Sequence, residues 1–202
     1  MKVLLVNGSP HKEGCTHRAL EEVGLALNNK DITTDFFWIG NNPVADCLAC
    51  RACTQNGGTC SIDDKVNEFL EIAGSYDGFI FGTPVYWAGA TGAITSFMDR
   101  AMFADNCGNR NRFRLKPAAL IASARRAGTT AAWDQVNKYF GAMEMPIISS
   151  NYWNLVYGTN VSEVENDLEG LLTMRTLGNN MAWFLKCKEA GEKAGVSMPE
   201  KF

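Results

Sequence analysis

Four cysteines crowd into one short stretch of the chain, where they could together bind a metal centre. They are Cys47, Cys50, Cys53 and Cys60, separated by two, two and six residues. Thiolates bind both iron-sulfur clusters and zinc, and Gly57 and Gly58 give the backbone freedom before the fourth cysteine. Residues 40–60 are therefore predicted to form a metal-binding loop. A [4Fe-4S] cluster is the first interpretation, with a zinc site or metal-free loop packing as alternatives.

A second chemically suggestive stretch follows the first apolar run. Residues 7–16 have the sequence NGSPHKEGCT and lead directly into a helical pattern. The free amides and the dipole of a helix N-terminus attract anions, and the hydroxyls of Ser9 and Thr16 could complete such a site. Because neither GxGxxG nor the P-loop ending is present, a terminal monophosphate is the expected ligand. The alternative is a turn whose glycine and serine only cap the helix.

A third stretch supplies a family resemblance. Residues 81–92 have the sequence FGTPVYWAGATG, and residues 97–100 have FMDR. Together with the Gly-Ser-Pro loop, these motifs resemble the NADPH-dependent FMN reductase family over about residues 1–150. The resemblance implies a flavodoxin-like fold, in which the Gly-Ser-Pro loop binds the FMN phosphate and the Pro-Val-Tyr segment contacts the isoalloxazine ring.

Thirteen residues are expected to contact FMN on these grounds. They are Ser9, His11, Cys15, Thr16, His17, Thr83, Pro84, Val85, Tyr86, Trp87, Ser123, Arg125 and Gly128. His11 and Cys15 stand where the family usually has Arg and Asn or Ser, and either histidine could instead be solvated. Tyr86 and Trp87 could instead pack a helix or a subunit interface, and Arg125 could face water. No acid-base catalyst is expected, because the flavin itself carries the redox chemistry.

The cysteine pattern also resembles one subset of that family, the iron-sulfur flavoproteins. The bacterial ferredoxin pattern has a proline after its last cysteine, which is missing after Cys60. Cys107 and Cys187 stand apart in the sequence and are expected to be structural. A helix N-terminus lowers a thiol pKa, so an exposed Cys15 would be oxidisable.

Short apolar runs alternate with helical patterns, which predicts an α/β domain. It would have three layers, with a five-stranded parallel sheet between helices on both faces, and the flavodoxin-like resemblance implies the strand order 2-1-3-4-5. The predicted strands are residues 2–7, 32–39, 78–83, 117–123 and 146–150. The predicted helices are residues 16–29, 62–74, 91–102, 129–143 and about 162–190. Ser61 and Asp64 offer a capping box for the second helix. The loops after the first, third and fourth strands would share one crevice.

Composition narrows the function further. The chain has 202 residues, 46% of them hydrophobic, and a net charge of −3, which fits one domain over residues 1–202. The acidic balance argues against nucleic-acid and anionic-membrane binders. The N-terminus lacks the long apolar core of a signal peptide, so we expect a cytoplasmic protein with reduced thiols.

The function expected from the sequence is an FMN-dependent oxidoreductase. It would reduce small acceptors such as flavins or quinones with electrons from NAD(P)H. The alternative is an iron-sulfur flavoprotein that relays single electrons from a ferredoxin-like donor through a [4Fe-4S] cluster to FMN. A third interpretation is a flavin-independent redox or metal sensor that uses the four cysteines. The resemblance also implies a homodimer or homotetramer.

Overall fold

A parallel β-sheet forms the centre of the computed structural model, which describes residues 1–201. The strands are β1 (Lys2–Asn7), β2 (Thr33–Trp38), β3 (Gly78–Tyr86), β4 (Gly89–Ala90), β5 (Ala118–Ala124) and β6 (Leu155–Tyr157). Five of them pair in parallel in the order β2-β1-β3-β5-β6, and β4 pairs antiparallel with the end of β3. The predicted strand order is therefore confirmed, with one short hairpin strand added.

Helices cover both faces of this sheet. They are α1 (Cys15–Asn28), α2 (Lys65–Ala73), α3 (Gly92–Cys107), α4 (Thr129–Ala142), α5 (Val161–Asn166) and α6 (Leu168–Lys193). Successive side chains of a strand point to opposite faces. Leu4 and Val6 accordingly join the core under α2, α3 and α4, while Val3 and Leu5 join the core under α1 and α6. No helix within residues 1–201 is long and apolar enough to cross a bilayer.

The last strand lies later in the chain than predicted. Within residues 146–150, only Ile147 forms a bridge, to Ala118 at the start of β5. The chain then leaves the sheet and returns as β6. Asn154 makes this excursion possible, because its buried amide donates to Leu120 O and so occupies an acceptor that a continuous strand would use.

Two helix boundaries also differ from the prediction. Helix α2 begins at Lys65, because Asp64 is its N-cap and accepts from Val66 N, so the capping box based on Ser61 is wrong. The predicted C-terminal helix is divided at Asp167, whose side chain caps α6 by accepting from Gly170 N.

Ion pairs join α1 to α6 away from these boundaries. Glu22 is 7% exposed and accepts hydrogen bonds from Arg18 on its own helix and from Arg175 on α6. Burial alone would raise the pKa of Glu22, but the two guanidinium groups outweigh it and lower that pKa.

Candidate functional site

Parallel pairing brings four loops to one edge of the sheet. Asn7 lies opposite Gly82, and Pro84 lies opposite Ser123, at the carboxyl ends of β1, β3 and β5. Tyr157 ends β6 at the same edge. Ligands of open α/β sheets bind at this edge. The chemistry-bearing stretches at 7–16, 81–92 and 123–128 therefore meet in space, as the sequence predicts.

The loop between β1 and α1 is held by hydrogen bonds from both ends. Gly8 N donates to Gly82 O at 2.8 Å, which ties the loop to β3. Ser9 N donates to Asn7 Oδ1 at 3.0 Å, and His11 N donates to Ser9 Oγ at 3.1 Å. The loop is consequently fixed in shape before any ligand arrives.

Helix α1 offers free donors to this loop. Its first intrahelical hydrogen bond runs from Arg18 N to Gly14 O, so the amides of residues 15–17 precede the paired ladder. No acidic side chain lies in the first helical turn. The first turn itself therefore adds no carboxylate that would oppose the positive end of the helix dipole, which suits an anion.

The hydroxyls of Ser9 and Thr16, which are expected to bind the phosphate, are buried and already form hydrogen bonds. Thr16 Oγ1 lies 2.8 Å from Ser123 Oγ, which joins α1 to the end of β5. A hydroxyl donates once and accepts twice, so both groups and Ser9 retain capacity for a ligand. The two histidines differ in position. His11 is exposed on the loop, whereas His17 packs against the Phe36 ring at 4.8 Å.

Cys15 is not the activated thiol expected from its position. The thiol is half-buried and donates to Gly158 O at 3.7 Å. Burial raises the pKa of Cys15, and the nearby Glu163 carboxylate adds to that rise. The contact also reveals a fourth loop at the site, the one after β6. Sequence reasoning missed Gly158 because it placed the last strand too early.

Residues 81–92 contain a hairpin at the sheet edge, formed by the end of β3 and the short strand β4. Thr83 is fully buried, and its hydroxyl accepts from Thr91 N at 3.4 Å across the hairpin base. Trp87 and Ala88 both have positive φ angles, 51° and 61°, which suits a tight turn between β3 and β4. Tyr86 is 50% exposed and the Trp87 side chain is fully exposed. Within this chain, neither aromatic ring is taken up by the core.

The loop after β5 supports that hairpin. Gly128 has a φ of +90°, and a Cβ there would lie 2.4 Å from Ala88 Cα. Only glycine fits this approach, so the loop and the hairpin touch through their backbones. Arg125 is exposed at the start of the loop and is available to an anionic group near the crevice.

The cysteine stretch forms a second, separate site. One surface hollow is lined by Cys47, Cys50, Cys53 and Cys60 together. Cys53 is buried, Cys50 is exposed and the other two are half-buried, and all seven cysteines of the chain are free. Within residues 1–201, no three His, Cys, Asp or Glu side chains converge closely enough to hold a single metal ion.

A buried arginine braces the hollow from α3. Arg100 is 1% exposed, and its Nε donates to Cys60 Sγ at 3.3 Å. Its terminal nitrogens form two hydrogen bonds to the Asp64 carboxylate, at 2.6 and 2.8 Å. Burial alone would lower the pKa of Arg100, but the hydrogen bonds to Asp64 and Cys60 outweigh it and raise that pKa. The guanidinium is therefore a permanent charge beside the sulfur.

Asn67 fixes the backbone around the fourth cysteine. Its Oδ1 accepts from Cys60 N at 2.9 Å, and its Nδ2 donates to Cys60 O at 3.0 Å. Asn67 is 6% exposed and lies on α2, so a regular helix positions an irregular loop. Sequence reasoning gave no role to Asn67 or Arg100. The FMDR motif drew attention to Arg100 only as part of a resemblance.

Two further contacts set the environments of individual thiols. Ser61 Oγ lies 3.3 Å from Cys50 Sγ, and this hydrogen bond lowers the pKa of Cys50. Burial raises the pKa of Cys53, and the Cys107 thiol beside it adds to the rise. Cys107, the last residue of α3, thus lies beside Cys53 although the two are far apart in the sequence.

Comparison with known proteins identifies the family. The profile described as NADPH-dependent FMN reductase matches residues 1–160. The chain belongs to the NADPH-dependent FMN reductase family. That membership makes it a flavoprotein of the FMN-binding oxidoreductases, and the matched region contains all four loops of the sheet edge.

Two relatives within this family come from Methanocaldococcus jannaschii, and both are named iron-sulfur flavoproteins. One is 29% identical over 92% of this chain and 98% of its own length. The other is 30% identical over 93% and 98%. A crystal structure titled as a flavodoxin, WrbA-like protein from Agrobacterium tumefaciens shares the fold, with a TM-score of 0.61, 15% identity and coverage of 92% and 97%. The predicted flavodoxin-like fold is thus confirmed.

Both sites of this FMN reductase family member suit the groups that its relatives' names suggest. At the sheet edge, free amides and buried hydroxyls converge without a carboxylate in the first turn of α1, which suits a phosphate monoester. In the hollow, four free thiols line one space, and thiolates are the ligands of iron-sulfur clusters.

Proposed function

We propose that the protein is an iron-sulfur flavoprotein that transfers single electrons through a [4Fe-4S] cluster to FMN and then to a small acceptor. The observation that carries the proposal is the shared hollow. Cysteines spread over fourteen residues line one cavity, although only three residues of that stretch, Ala52–Thr54, form a helical turn. None of the four thiols is in a disulfide, so all four are available as ligands.

The chain's part in flavin binding is to hold the phosphate and the ring at different loops. Amides of residues 15–17, with Ser9 and Thr16, would bind the phosphate. Backbone groups of the 83–86 segment would bind the polar edge of the ring, with Tyr86 and Trp87 against its flat surface. Bound FMN supplies both one-electron and two-electron chemistry. Thr83 and Ser123 are buried where β3 and β5 end at this edge of the sheet.

The chain's part at the cluster is to supply thiolates and to donate hydrogen bonds to them. Cys47, Cys50, Cys53 and Cys60 would be the ligands. Arg100 donates to Cys60 and the Ser61 hydroxyl is within reach of Cys50, and such contacts to sulfur stabilise its negative charge. A ferredoxin-like protein is the proposed donor, because it transfers electrons singly.

A second candidate function is direct reduction of FMN by NAD(P)H. Arg125 favours it, because an exposed cation beside the crevice suits the phosphates of a nicotinamide nucleotide. The exposed faces of Tyr86 and Trp87 also leave room for a planar second ligand. In this case the enzyme would turn over with flavin or quinone acceptors and without its cluster.

Anaerobic purification tests both candidates. We expect the purified protein to contain FMN, and to contain iron and acid-labile sulfide at about four atoms of each per chain. When a ferredoxin-like donor is added, the cluster should be reduced before the flavin. Zinc in place of iron, or colourless protein that ignores added FMN, would contradict the proposal, and the latter would favour a sensor. Oxidation of NADPH or NADH with a quinone by cluster-free protein would establish the second candidate.

A further inference from the structure

We propose that Arg100 is a positioning residue that raises the reduction potential of the cluster through its hydrogen bond to Cys60. The inference rests on the proposed [4Fe-4S] site and goes beyond it, because Arg100 is not a ligand. It assigns a regulating role to a residue on α3, outside the cysteine stretch.

Every donor of the Arg100 guanidinium is occupied. The group has five N–H donors. One reaches Cys60 Sγ, two reach the Asp64 carboxylate, and two reach the carbonyls of Ile62 and Ala45. The side chain therefore has no freedom to turn its Nε away from the sulfur. The positive charge of Arg100 is therefore held in a fixed position beside Cys60 Sγ.

The same contacts draw both ends of the cysteine stretch together. Ala45 precedes the first cysteine, and Ile62 follows the last. Since one guanidinium binds both carbonyls, it closes the loop across the hollow. Arg100 thus both fixes the loop and places a positive charge beside Cys60, and different variants separate the two effects.

The expected sign follows from the charge balance of reduction. One electron enters the cluster, no bond forms or breaks, and the cluster with its four thiolates becomes more negative by one unit. A buried cation next to Cys60 stabilises the reduced state more than the oxidised state, so it raises the potential. The Asp64 carboxylate partly offsets that cation, so removing its charge should raise the potential further.

Three variants separate these contributions. Arg100→Gln keeps a long polar side chain but removes the charge. Arg100→Lys keeps the charge but lacks the branched guanidinium group with its several N–H donors. Asp64→Asn removes the offsetting negative charge and keeps a good helix N-cap. Ser61→Ala is the matched control, because it removes a neutral hydrogen bond from the exposed ligand Cys50.

The measurement is a dye-mediated redox titration of the anaerobic holoprotein with dithionite, followed by electron paramagnetic resonance for the cluster and by absorbance for FMN. For Arg100→Gln we expect a tenfold or greater loss of reduced cluster at fixed potential, about 59 mV more negative for a one-electron couple. Arg100→Lys should recover part of this shift, and Asp64→Asn should move the cluster potential in the positive direction. Ser61→Ala should shift it less than Arg100→Gln, and the FMN potential should stay constant in all four.

The outcomes distinguish this proposal from the proposed function. Wild-type protein without iron and sulfide overturns both. An intact cluster whose potential is unmoved in Arg100→Gln overturns the role of Arg100 alone. If Arg100→Gln fails to assemble a cluster, Asp64→Asn decides, since an unchanged or more negative potential there also overturns the proposal.

Discussion

The two sites of this protein are built by opposite means. The flavin edge is positioned by backbone, because its loops start and end on paired strands and are joined by contacts such as Gly8 N to Gly82 O. The cysteine hollow is positioned by side chains, because Arg100, Asn67 and Asp64 reach into a stretch with little regular structure. The comparison teaches that the first site should survive most single substitutions in the second.

The strongest test of that comparison is to remove a cluster ligand. Cys50→Ala and Cys60→Ala should each abolish bound iron and sulfide while FMN stays at wild-type stoichiometry, because no cysteine ligand contacts the sheet edge. Iron, sulfide and flavin assays on anaerobic protein measure this. Cys187→Ala is the control, since that thiol is exposed on α6. Loss of FMN from the ligand variants would show that the two sites are not independent.

Gly128→Ala should disturb the backbone at the flavin edge. The new Cβ would lie 2.4 Å from Ala88 Cα at a φ of +90°, so the hairpin must shift. We expect a loss of about 2 kcal/mol in the free energy of unfolding and roughly tenfold weaker FMN binding. Urea unfolding and flavin titration measure the two. Gly141→Ala on α4 is the control, because its Cβ meets nothing and the change should stabilise the helix.

A gentler change at the same edge removes the buried hydroxyls. The double variant Ser9→Ala and Thr16→Ala should weaken FMN binding by about tenfold, since each of the two hydrogen bonds to a ligand contributes about 0.7 kcal/mol and a tenfold change corresponds to about 1.4 kcal/mol. Bound iron should not change. Ser75→Ala, an exposed serine beyond α2, should alter neither quantity. Wild-type flavin affinity in the double variant would refute the phosphate site.

The smallest effect is expected from Glu22→Gln, which touches neither site. The folded-state pKa of Glu22 is lowered, so its stabilisation is present at neutral pH and is lost as the pH falls through that pKa. The variant should be about 1 kcal/mol less stable at pH 7. The effect is this small because Arg175 is partly exposed, so that solvent screens its interaction with Glu22. Urea unfolding at pH 7 and pH 3.5 checks the sign, and a difference that widens in acid would contradict it.

The sequence predicted those parts of the molecule that depend on local pattern. The positions of β1, β2, β3 and β5 and of most helices follow from apolar periodicity, and the strand order follows from the family resemblance. The last strand was misplaced because residues 146–148 are apolar and do touch β5, but a buried amide at Asn154 diverts the chain. Nothing in the local pattern marks that diversion.

Contacts between distant residues were beyond prediction. Arg100 lies forty residues from Cys60, and Cys107 is far from Cys53 along the chain, yet α3 places Arg100 beside Cys60 and Cys107 beside Cys53. A single sequence shows which residue types are present but not which of them meet across a core. The roles of Asn67 and Gly158 were missed for the same reason.

Helix α3 has a mechanical consequence for both sites. Its N-cap, Thr91, lies at the base of the flavin hairpin. The helix then passes Arg100 and ends at Cys107, where a Cβ on the next residue, Gly108, would lie 2.2 Å from Gly58 of the cysteine stretch. Sixteen helical residues make a stiff rod about 24 Å long. Transient detachment of this rod would open both sites at once, so the amides of α3 should exchange with solvent as one cooperative unit.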